Sequence, residues 1–383
     1  MPKFKFTEFA INSTEKKKPI EADKETYIGL EHLDSGTLTV SRWGAEVAPI
    51  GEKLLMKKGD VLFGKRRAYQ KKVGIAPFDG IFSAHGMVLR PREEVITKEY
   101  FPLFISSDYF LNEAIRISVG SLSPTVNWKD LKDLEFNIPT IEEQRRITPL
   151  VWAAIKAKEA YKNQINATDD LVKSQFIEMF LNDETEYKKV PLSEVFDKPQ
   201  GGEWGEDDVD GSGTPVLRTT NFTDSGYVDY SDVATRKIDT TKLDKKALIT
   251  GDILIEKSGG SSDKPVGRVV FFEGESGKYL NNNFTARLHL NGNYALRNMY
   301  TFFFLYINYW SGGTELYEGK TTGIHNLKLM DYLKNTNIPL APVSLQDKFE
   351  VIVRQSDKSK FELEEAIVRI ENFIKSLIQQ DTE

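Results

Sequence analysis

The two halves of the chain carry the same short sequence motifs in the same order, about 190 to 200 residues apart. Gly59-Asp60-Val61-Leu62 in the first half matches Gly251-Asp252-Ile253-Leu254 in the second, and an Asn-Ile-Pro triplet ends at Pro139 and again at Pro339. We also match Val73-Gly74-Ile75-Ala76 with Val266-Gly267-Arg268-Val269. This period is too long for a solenoid unit and indicates a duplicated domain with a duplicated connector.

Each globular half is predicted to consist mostly of β-strands. Short runs rich in Val, Ile, Leu and Phe are bounded by Gly, Asp and Asn turn residues, as at 60–63, 86–89, 252–255, 266–272 and 285–290. Aromatic residues at helical spacing predict core-facing helices over 98–117 and 296–310.

Each half ends in a long segment with the heptad spacing of a coiled coil. Thr140-Ile141-Glu142-Glu143 matches a helix capping box, and Ser344-Leu345-Gln346-Asp347 is a weaker version of it. The apolar or small residues of the two rows are Ile147, Val151, Ala154, Tyr161, Ile165, Thr168, Val172 and Met179, and then Ile352, Ser356, Ser359, Leu363, Ala366, Ile370, Phe373 and Leu377.

Two such helices bury their apolar rows most simply against each other in an antiparallel pair. Pairing of each helix with another copy of the chain is the alternative. Lys158 is polar at a position of the first row, where it could specify the helix register or face a partner.

The predicted fold is therefore α+β, with two similar mostly-β domains separated by two long antiparallel coiled-coil helices in a pseudo-two-fold arrangement. The predicted boundaries are residues 1–140 for the first domain, 141–183 for a central spacer helix, 184–341 for the second domain and 342–383 for a C-terminal spacer helix.

Composition and motifs exclude several classes of site. The chain has no Cys, which excludes thiolate metal sites, cysteine nucleophiles and disulfides. Its four histidines lack metal-ligand spacing, and no phosphate-binding loop, nucleophile elbow or zinc-protease motif occurs. We predict no catalytic residue, no metal and no cofactor on this chain. The longest apolar stretch, 300–310, is too short to span a bilayer, so we expect a cytoplasmic protein.

A cluster of cations stands out in a chain whose net charge is -6. Residues 53–72 contain eight Lys and Arg residues and a single acid, Asp60. The matching stretch of the second half, 257–268, is a Gly/Ser loop with cationic flanks. Lys and Arg neutralise phosphates, while Ser, Asn and Arg side chains read base edges. The pattern is compatible both with DNA contact and with an ordinary solvated face.

The whole layout resembles the specificity subunit of a type I restriction-modification system. The resemblance is carried by the Gly-Asp motifs, the exits at Pro139 and Pro339, and the segments 141–147 (IEEQRRI), 187–195 (YKKVPLSEV) and Gly201-Gly202. It covers nearly the whole chain. The second exit departs from the family pattern, because Pro342-Val343-Ser344-Leu345-Gln346 replaces the Glu-Glu-Gln form.

The resemblance implies two target-recognition domains that each read one half of a bipartite site in double-stranded DNA. The helices set the distance between these two domains. It also implies two modification (methyltransferase) subunits, which bind S-adenosylmethionine and methylate adenine, and restriction subunits, which use ATP and magnesium to translocate and cleave DNA. All of that chemistry belongs to the partner subunits, and the chain itself is expected to be a non-catalytic part of a phage-defence complex.

On this basis we predict which residues contact DNA and which contact protein partners. The predicted DNA-binding residues are Lys65, Arg66, Arg67, Lys71, Lys72, Lys257, Ser258, Ser261, Lys264, Arg268, Asn282, Asn283, Lys320, Thr322 and His325. The predicted partner-binding residues are Lys156, Lys173, Arg369 and Lys375. A self-sufficient nucleic-acid enzyme and a coiled-coil scaffold that never binds DNA are the alternatives.

Overall fold

The computed structural model describes residues 2–182, 187–261, 264–321 and 324–379, with the backbone alone for residues 320, 321, 324 and 379. The chain divides into two compact units. The first consists of Met1–Lys162 and Glu364–Glu383, and the second of Asn163–Leu363. Two long helices, the central helix Ile141–Phe180 and the C-terminal helix Val343–Gln379, contribute residues to both units.

Short strands and helices form the body of the first unit. Its strands are Lys3–Lys5, Ala10–Ser13, Lys16–Lys17, Tyr27–Ile28, Lys53–Met56, Val61–Phe63, Val73–Ile75, Gly80–Phe82, Met87–Pro91 and Glu135–Asn137. Its short α-helices are Phe6–Phe9, Phe101–Ile105, Asp108–Arg116 and Trp128–Leu131, and 3₁₀ turns occupy Glu21–Thr26, Leu30–His32 and Ala68–Gln70.

The second unit has the same kind of composition. Its strands are Lys189–Pro191, Gln200–Gly201, Glu206–Asp207, Thr214–Leu217, Ala234–Lys237, Ile253–Glu256, Ser258–Gly260, Val269–Phe271, Leu280–Asn281, Thr285–Leu288, Glu318–Thr321, Ile324–Leu327 and Asn337–Pro339. Its short α-helices are Thr240–Lys246, Asn298–Trp310 and Leu329–Asn335, and its 3₁₀ turns are Leu192–Glu194, Thr219–Asn221 and Glu315–Tyr317.

One four-stranded sheet has the same strand order in both units, which confirms the duplication, whereas the last two strands of a second sheet exchange places between the units. A four-stranded antiparallel sheet has the strand that carries the Gly-Asp motif as one of its two inner strands: Val61–Phe63 in the first unit and Ile253–Glu256 in the second. A second four-stranded sheet ends in a parallel pair in both units. A two-stranded ribbon joins the start of each unit to its Asn-Ile-Pro exit.

The Gly-Asp motif is a turn that starts the buried strand. Gly59 and Gly251 have φ of 92° and 96°, values that favour glycine because it lacks a Cβ. The Asp60 carboxylate accepts the backbone N–H of Lys57 at 2.8 Å, and the Asp252 carboxylate accepts that of Ile249 at 2.7 Å. The motif is repeated because each unit needs the same turn.

One motif match made from the sequence is wrong by three residues. Val73 pairs with Phe63, and its structural counterpart is Val269, which pairs with Ile255, instead of Val266. The loop that follows the Gly-Asp strand is therefore longer in the second unit. The sequence match failed because Val-Gly occurs by coincidence near the end of that longer loop.

The two long helices run antiparallel within each unit, as predicted. In the first unit Lys158 lies 3.7 Å from Glu371, and Ile374 and Ile378 pack in the same core cluster as Ile147. In the second unit Lys360 binds Asp169 at 2.8 Å, and Phe349 and Phe176 have ring centroids 5.1 Å apart. In each unit, residue numbers therefore rise along one helix in the direction in which they fall along the other, so the two helices are antiparallel.

Three local predictions are corrected by the structure. Residues 98–117 form two helices instead of one, because the chain turns at Ser106 and Ser107. The C-terminal helix starts at Val343, before the predicted Ser344 cap. Phe373 is 47% exposed, since the neighbouring Ile374 takes the buried position of that turn. The central helix continues through Pro149.

Equivalent glutamines fix the start of each long helix to its unit. The Gln144 side chain accepts the N–H of Thr97 at 2.7 Å and donates to the carbonyls of Val95 and Pro139. Gln346 accepts the N–H of Arg297 at 2.7 Å and donates to two carbonyls in the same way. Both side chains are fully buried. The segment after Pro339 departs from the family pattern, but it keeps the glutamine, Gln346, that makes these contacts.

Within the described residues, no helix combines the length and the apolar character needed to cross a bilayer.

Candidate nucleic-acid interface

In the first unit, the cationic loop that follows the strand Val61–Phe63 is held against a second loop, residues 118–126. The Lys65 carbonyl accepts the N–H of Val126 at 2.9 Å, and the Arg67 N–H donates to the Pro124 carbonyl at 2.7 Å. The Arg67 Nε also donates to the Ser123 hydroxyl at 3.3 Å. Backbone bonds therefore place Lys65, Arg66 and Arg67 beside the Ser-Pro-Thr segment.

The second unit brings the same two segments together. The Lys257 carbonyl accepts the N–H of Leu327 at 2.9 Å, as the Lys65 carbonyl accepts that of Val126. Ser258–Gly260 pairs with Ile324–Leu327, which pairs in turn with Glu318–Thr321. Lys65 and Lys257 therefore occupy equivalent positions in the duplicated site.

The cationic loop of the first unit has an unusual backbone. Arg67 and Lys71 have φ of 57° and 49°, and they are the only non-glycine residues with positive φ in the part of the chain that the structure describes. This conformation costs roughly 1 to 2 kcal/mol for a residue with a Cβ. Strained residues of this kind concentrate at functional sites.

The three leading cations of this loop differ in exposure. Arg66 and Arg67 are exposed, and Lys65 is half-buried. Burial, together with the charge of Lys16, lowers the pKa of Lys65. Burial and the neighbouring cations Arg66, Lys65 and Lys53 also lower the pKa of His85. A bound anion such as a phosphate would relieve this repulsion.

Lys71 and Lys72, also predicted to bind DNA, have partners inside the unit. The Lys71 ammonium binds the Asp108 carboxylate at 2.6 Å, and that hydrogen bond lowers the pKa of Asp108. The Lys72 ammonium donates to the Leu30 carbonyl at 2.7 Å. Lys65, Arg66 and Arg67 therefore lie together in the loop, whereas Lys71 and Lys72 each bind another group of the unit.

In the second unit, the predicted loop residues form a turn. Lys257 and Ser258 are half-buried, and the Ser258 hydroxyl donates to Asn326. Ser261 and Lys264 are exposed and close a turn through the Ser261 N–H and the Lys264 carbonyl at 2.8 Å. The Lys264 ammonium lies 3.8 Å from the Asp224 carboxylate.

Arg268 is held by three acceptors. Its Nε donates to Glu256 at 2.9 Å, and its two terminal nitrogens donate to the carbonyls of Phe222 at 3.3 Å and Thr219 at 3.1 Å. Every guanidinium nitrogen thus has a partner in the free chain. This geometry suits a residue that positions its neighbours.

The remaining predicted DNA-binding residues are dispersed. Asn282 is buried, and its side chain accepts the Phe284 N–H at 3.2 Å, whereas Asn283 is exposed. His325 is half-buried, with its Nδ1 3.0 Å from Glu318. The Lys320 backbone pairs with His325, and Thr322 lies outside the described residues, as does the Lys320 side chain.

The four predicted partner-binding residues lie on the long helices. Lys156, Arg369 and Lys375 belong to the first unit and are exposed. Lys375 lies 3.7 Å from Asp108 and Arg369 lies 3.6 Å from Glu365. Lys173, in the second unit, is half-buried, with its ammonium 5.7 Å from the centre of the Tyr306 ring.

Sequence reasoning missed several residues of this surface. It did not assign the Ser123–Asn127 segment to the site. It also missed Asp108, Asp224 and Thr220, for which the sequence offers no signal, because only folding brings them to the loops.

No group of His, Asp or Glu among the described residues could hold a metal ion. In the second half, the Asp252 carboxylate lies 2.6 Å from His289, and the Glu256 carboxylate binds Arg268.

Residues 9–167 match the family model described as "Type I restriction modification DNA specificity domain". The chain is 24% identical over 164 residues to the type I restriction enzyme EcoDI specificity subunit of Escherichia coli. That alignment covers 42% of this chain and 36% of the relative, so the matched part spans about a third of the relative's length.

Solved structures match over the whole chain. One, titled "Structural basis underlying complex assembly and conformational transition of the type I R-M system", has 19% identity and a TM-score of 0.55 and covers 100% of this chain and 97% of that chain. The HsdS subunit of Thermoanaerobacter tengcongensis has 19% identity and a TM-score of 0.38, and covers 100% of this chain and 96% of its own. The first of these likenesses shows that the fold is shared.

Proposed function

We propose, from the membership of residues 9–167 in the type I restriction modification DNA specificity domain family, that this chain is the DNA-recognition subunit of such a system. Each unit reads one half of a bipartite site in double-stranded DNA. The chain performs no catalysis itself. It positions two modification subunits, which supply S-adenosylmethionine-dependent methylation of adenine, and restriction subunits, which supply ATP-driven translocation and cleavage.

The observation that carries this proposal is the duplicated loop pair. In both units a lysine after the buried strand is bonded through its carbonyl to a second loop, as Lys65 is to Val126 and Lys257 to Leu327. Two copies of one polar, cationic surface on one chain suit two contacts with DNA. Because the loops differ in sequence, the two half-sites differ too.

The proposal assigns different roles to the predicted residues. Lys65, Arg66 and Arg67 contact the first half-site, and Lys257, Ser258, Ser261 and Lys264 contact the second. Four cations on the helices, namely Lys156, Lys173, Arg369 and Lys375, face the protein partners. The cytoplasm is where such a complex meets incoming DNA.

A domain exchange tests this function directly. The chain is expressed with a modification partner, methylated adenines are mapped across the cellular DNA, and the mapping is repeated after residues 1–140 are exchanged for those of a related chain. We expect a bipartite methylated motif of which only one half changes. A motif that changes in both halves, or DNA without a motif, contradicts the proposal.

Charge reversal tests the first half-site. Arg66→Glu with Arg67→Glu is expected to lower the affinity of the assembled complex for its DNA by at least tenfold, because two attractive phosphate or base contacts become repulsive. Fluorescence anisotropy at several salt concentrations measures the change. Arg354→Glu, at an exposed position of the C-terminal helix that is assigned to neither DNA nor partner binding, is the control and should leave DNA affinity unchanged.

A further inference from the structure

A cavity in the second unit lies beside the loop that carries Ser261 and Lys264. Its volume is about 540 Å³, and its wall includes Thr219, Thr220, Asp224, Glu256, Lys264 and Arg268. It is open to solvent on the side of exposed Thr220, Asp224 and Lys264.

The Glu256 carboxylate lines this cavity, and only one of its two oxygens has a hydrogen-bond partner among the described residues. Its side chain is only 4% exposed, and one oxygen, Oε2, accepts the Arg268 Nε–H at 2.9 Å. No described residue donates a hydrogen bond to the other oxygen, Oε1. That oxygen lies near Gly259, which also lines the cavity. An ionised carboxylate oxygen with no described donor can accept a hydrogen bond from a ligand in the cavity.

Arg268 fixes this carboxylate in place. Its guanidinium is bound by Glu256 and by the carbonyls of Phe222 and Thr219, and it lies 5.9 Å from the centre of the Phe222 ring. Because its Nε–H binds the Glu256 carboxylate, Arg268 acts through Glu256 as a positioning residue.

The charge of the cavity selects the kind of ligand. Two carboxylates, Asp224 and Glu256, balance two cations, Lys264 and Arg268, and the rest of the polar wall consists of Thr and Ser hydroxyls and glycine backbone. A phosphate would meet the Glu256 carboxylate, so an anion is disfavoured. A neutral molecule with an amino donor fits. Cytosine N4 and adenine N6 are such donors, and carboxylates read the cytosine amino group in protein–DNA complexes.

We propose that this cavity holds a nucleobase of the second half-site, with Glu256 Oε1 accepting a hydrogen bond from its exocyclic amino group. The inference rests on the proposed function and goes further by naming the residue that sets one base of the specificity.

In the described part of the first unit, no carboxylate stands at the position equivalent to Glu256. By backbone pairing, Gly64 takes the place of Glu256, since Gly64 N–H donates to the Lys72 carbonyl as Glu256 N–H donates to that of Arg268. Lys72 therefore replaces Arg268. The effect of altering Glu256 must be confined to one half of the recognised sequence.

The test uses the complex with its modification partner and two variants. Glu256→Gln keeps the size of the side chain but replaces part of its acceptor capacity with a donor, and should relax or change one base of the second half-site, with about tenfold weaker discrimination at that base. Thr220→Tyr, at the exposed rim, should block the cavity and abolish methylation at the parental motif without touching Glu256 or Arg268. Glu203→Gln, whose carboxylate pairs with Lys242 and Lys246, is the control.

Mapped methylated adenines and thermal unfolding decide the outcome. An unchanged motif in folded Glu256→Gln, or unimpaired methylation in folded Thr220→Tyr, overturns the inference while the function stands. Absence of any bipartite motif in the parental complex overturns both. Binding of free deoxycytidine or deoxyadenosine to the complex, measured by calorimetry at micromolar concentration, would also overturn it, because the cavity would then be a small-molecule site. If Glu256→Gln fails to fold, Thr220→Tyr alone decides.

Discussion

At the scale of single residues, a few buried side chains determine whether each unit holds its loops and its helix. Gln144 is the clearest case, because its fully buried side chain binds one backbone N–H and two backbone carbonyl groups of the unit. Asp108 is a second case, since its carboxylate binds the Lys71 ammonium.

Gln144→Leu should lower the free energy of unfolding by on the order of 3 kcal/mol, because three buried backbone groups lose their hydrogen-bond partner. Urea denaturation followed by circular dichroism measures the change. Gln164→Leu, at an exposed position of the same helix, is the matched control and should change stability by less than about 0.5 kcal/mol. Gln346→Leu should cost about as much as Gln144→Leu, and a variant of either glutamine with parental stability would contradict this account.

Asp108 should give the first unit an acid-sensitive component of stability. The hydrogen bond from Lys71 lowers the pKa of Asp108 below its ordinary value of 3.8. The contribution is therefore fully present above pH 3.8 and is lost as the pH falls through the lower pKa of the folded state. Asp108→Asn should be less stable than the parent at pH 7, and the difference should vanish at strongly acidic pH. Denaturation curves collected across this range test it, and a constant difference would be the wrong outcome.

At the scale of elements, the two long helices use equivalent ion pairs to fix their register. Lys158 and Lys360 occupy the same position relative to the first residues of their helices, Ile141 and Val343, and each binds a carboxylate on the other helix, Glu371 or Asp169. Both lysine side chains are nearly buried, with 13% and 14% of their surface exposed. The polar position noticed in the first seam thus has a defined partner in the same chain, and its repeat in the second helix makes it a register feature.

A double-mutant cycle on Lys360 and Asp169 should show a coupling free energy of about 1 to 3 kcal/mol, because a Lys that is largely withdrawn from water depends on its carboxylate partners. Lys360→Ala, Asp169→Ala and the double variant are compared by urea denaturation. Arg354 and Glu350, an exposed pair on the C-terminal helix, form the control cycle, with an expected coupling of about 0.3 to 0.5 kcal/mol. Equal couplings in the two cycles would refute the register role.

At the scale of the whole molecule, the duplication separates the two proposed DNA contacts into different units. Arg66 belongs to the first unit and Lys264 to the second. Their side chains share no partner among the described residues, so neither contact depends on the other for its local geometry.

The effects of Arg66→Ala and Lys264→Ala on DNA binding should therefore add within about 0.5 kcal/mol in the double variant. Fluorescence anisotropy of the assembled complex on its bipartite site provides the three affinities. A double variant that binds no more weakly than the weaker single variant would mean that the two loops contribute to one shared contact.

The sequence by itself determined the duplication, the mostly-β character of the units, the two long helices and the cationic loop, because these depend on local turn chemistry and on hydrophobic spacing that each segment carries alone. Tertiary structure decided which cations have partners within the chain. It also decided that Arg268 holds the Glu256 carboxylate in place and that Asp224 and Thr220 border the same cavity. The physical reason is that burial and hydrogen bonding depend on residues distant in sequence, and a loop such as 258–268, longer than its counterpart, shifts every pairing that follows it. Spacing can locate a charged residue along the chain, but only packing determines which groups it contacts.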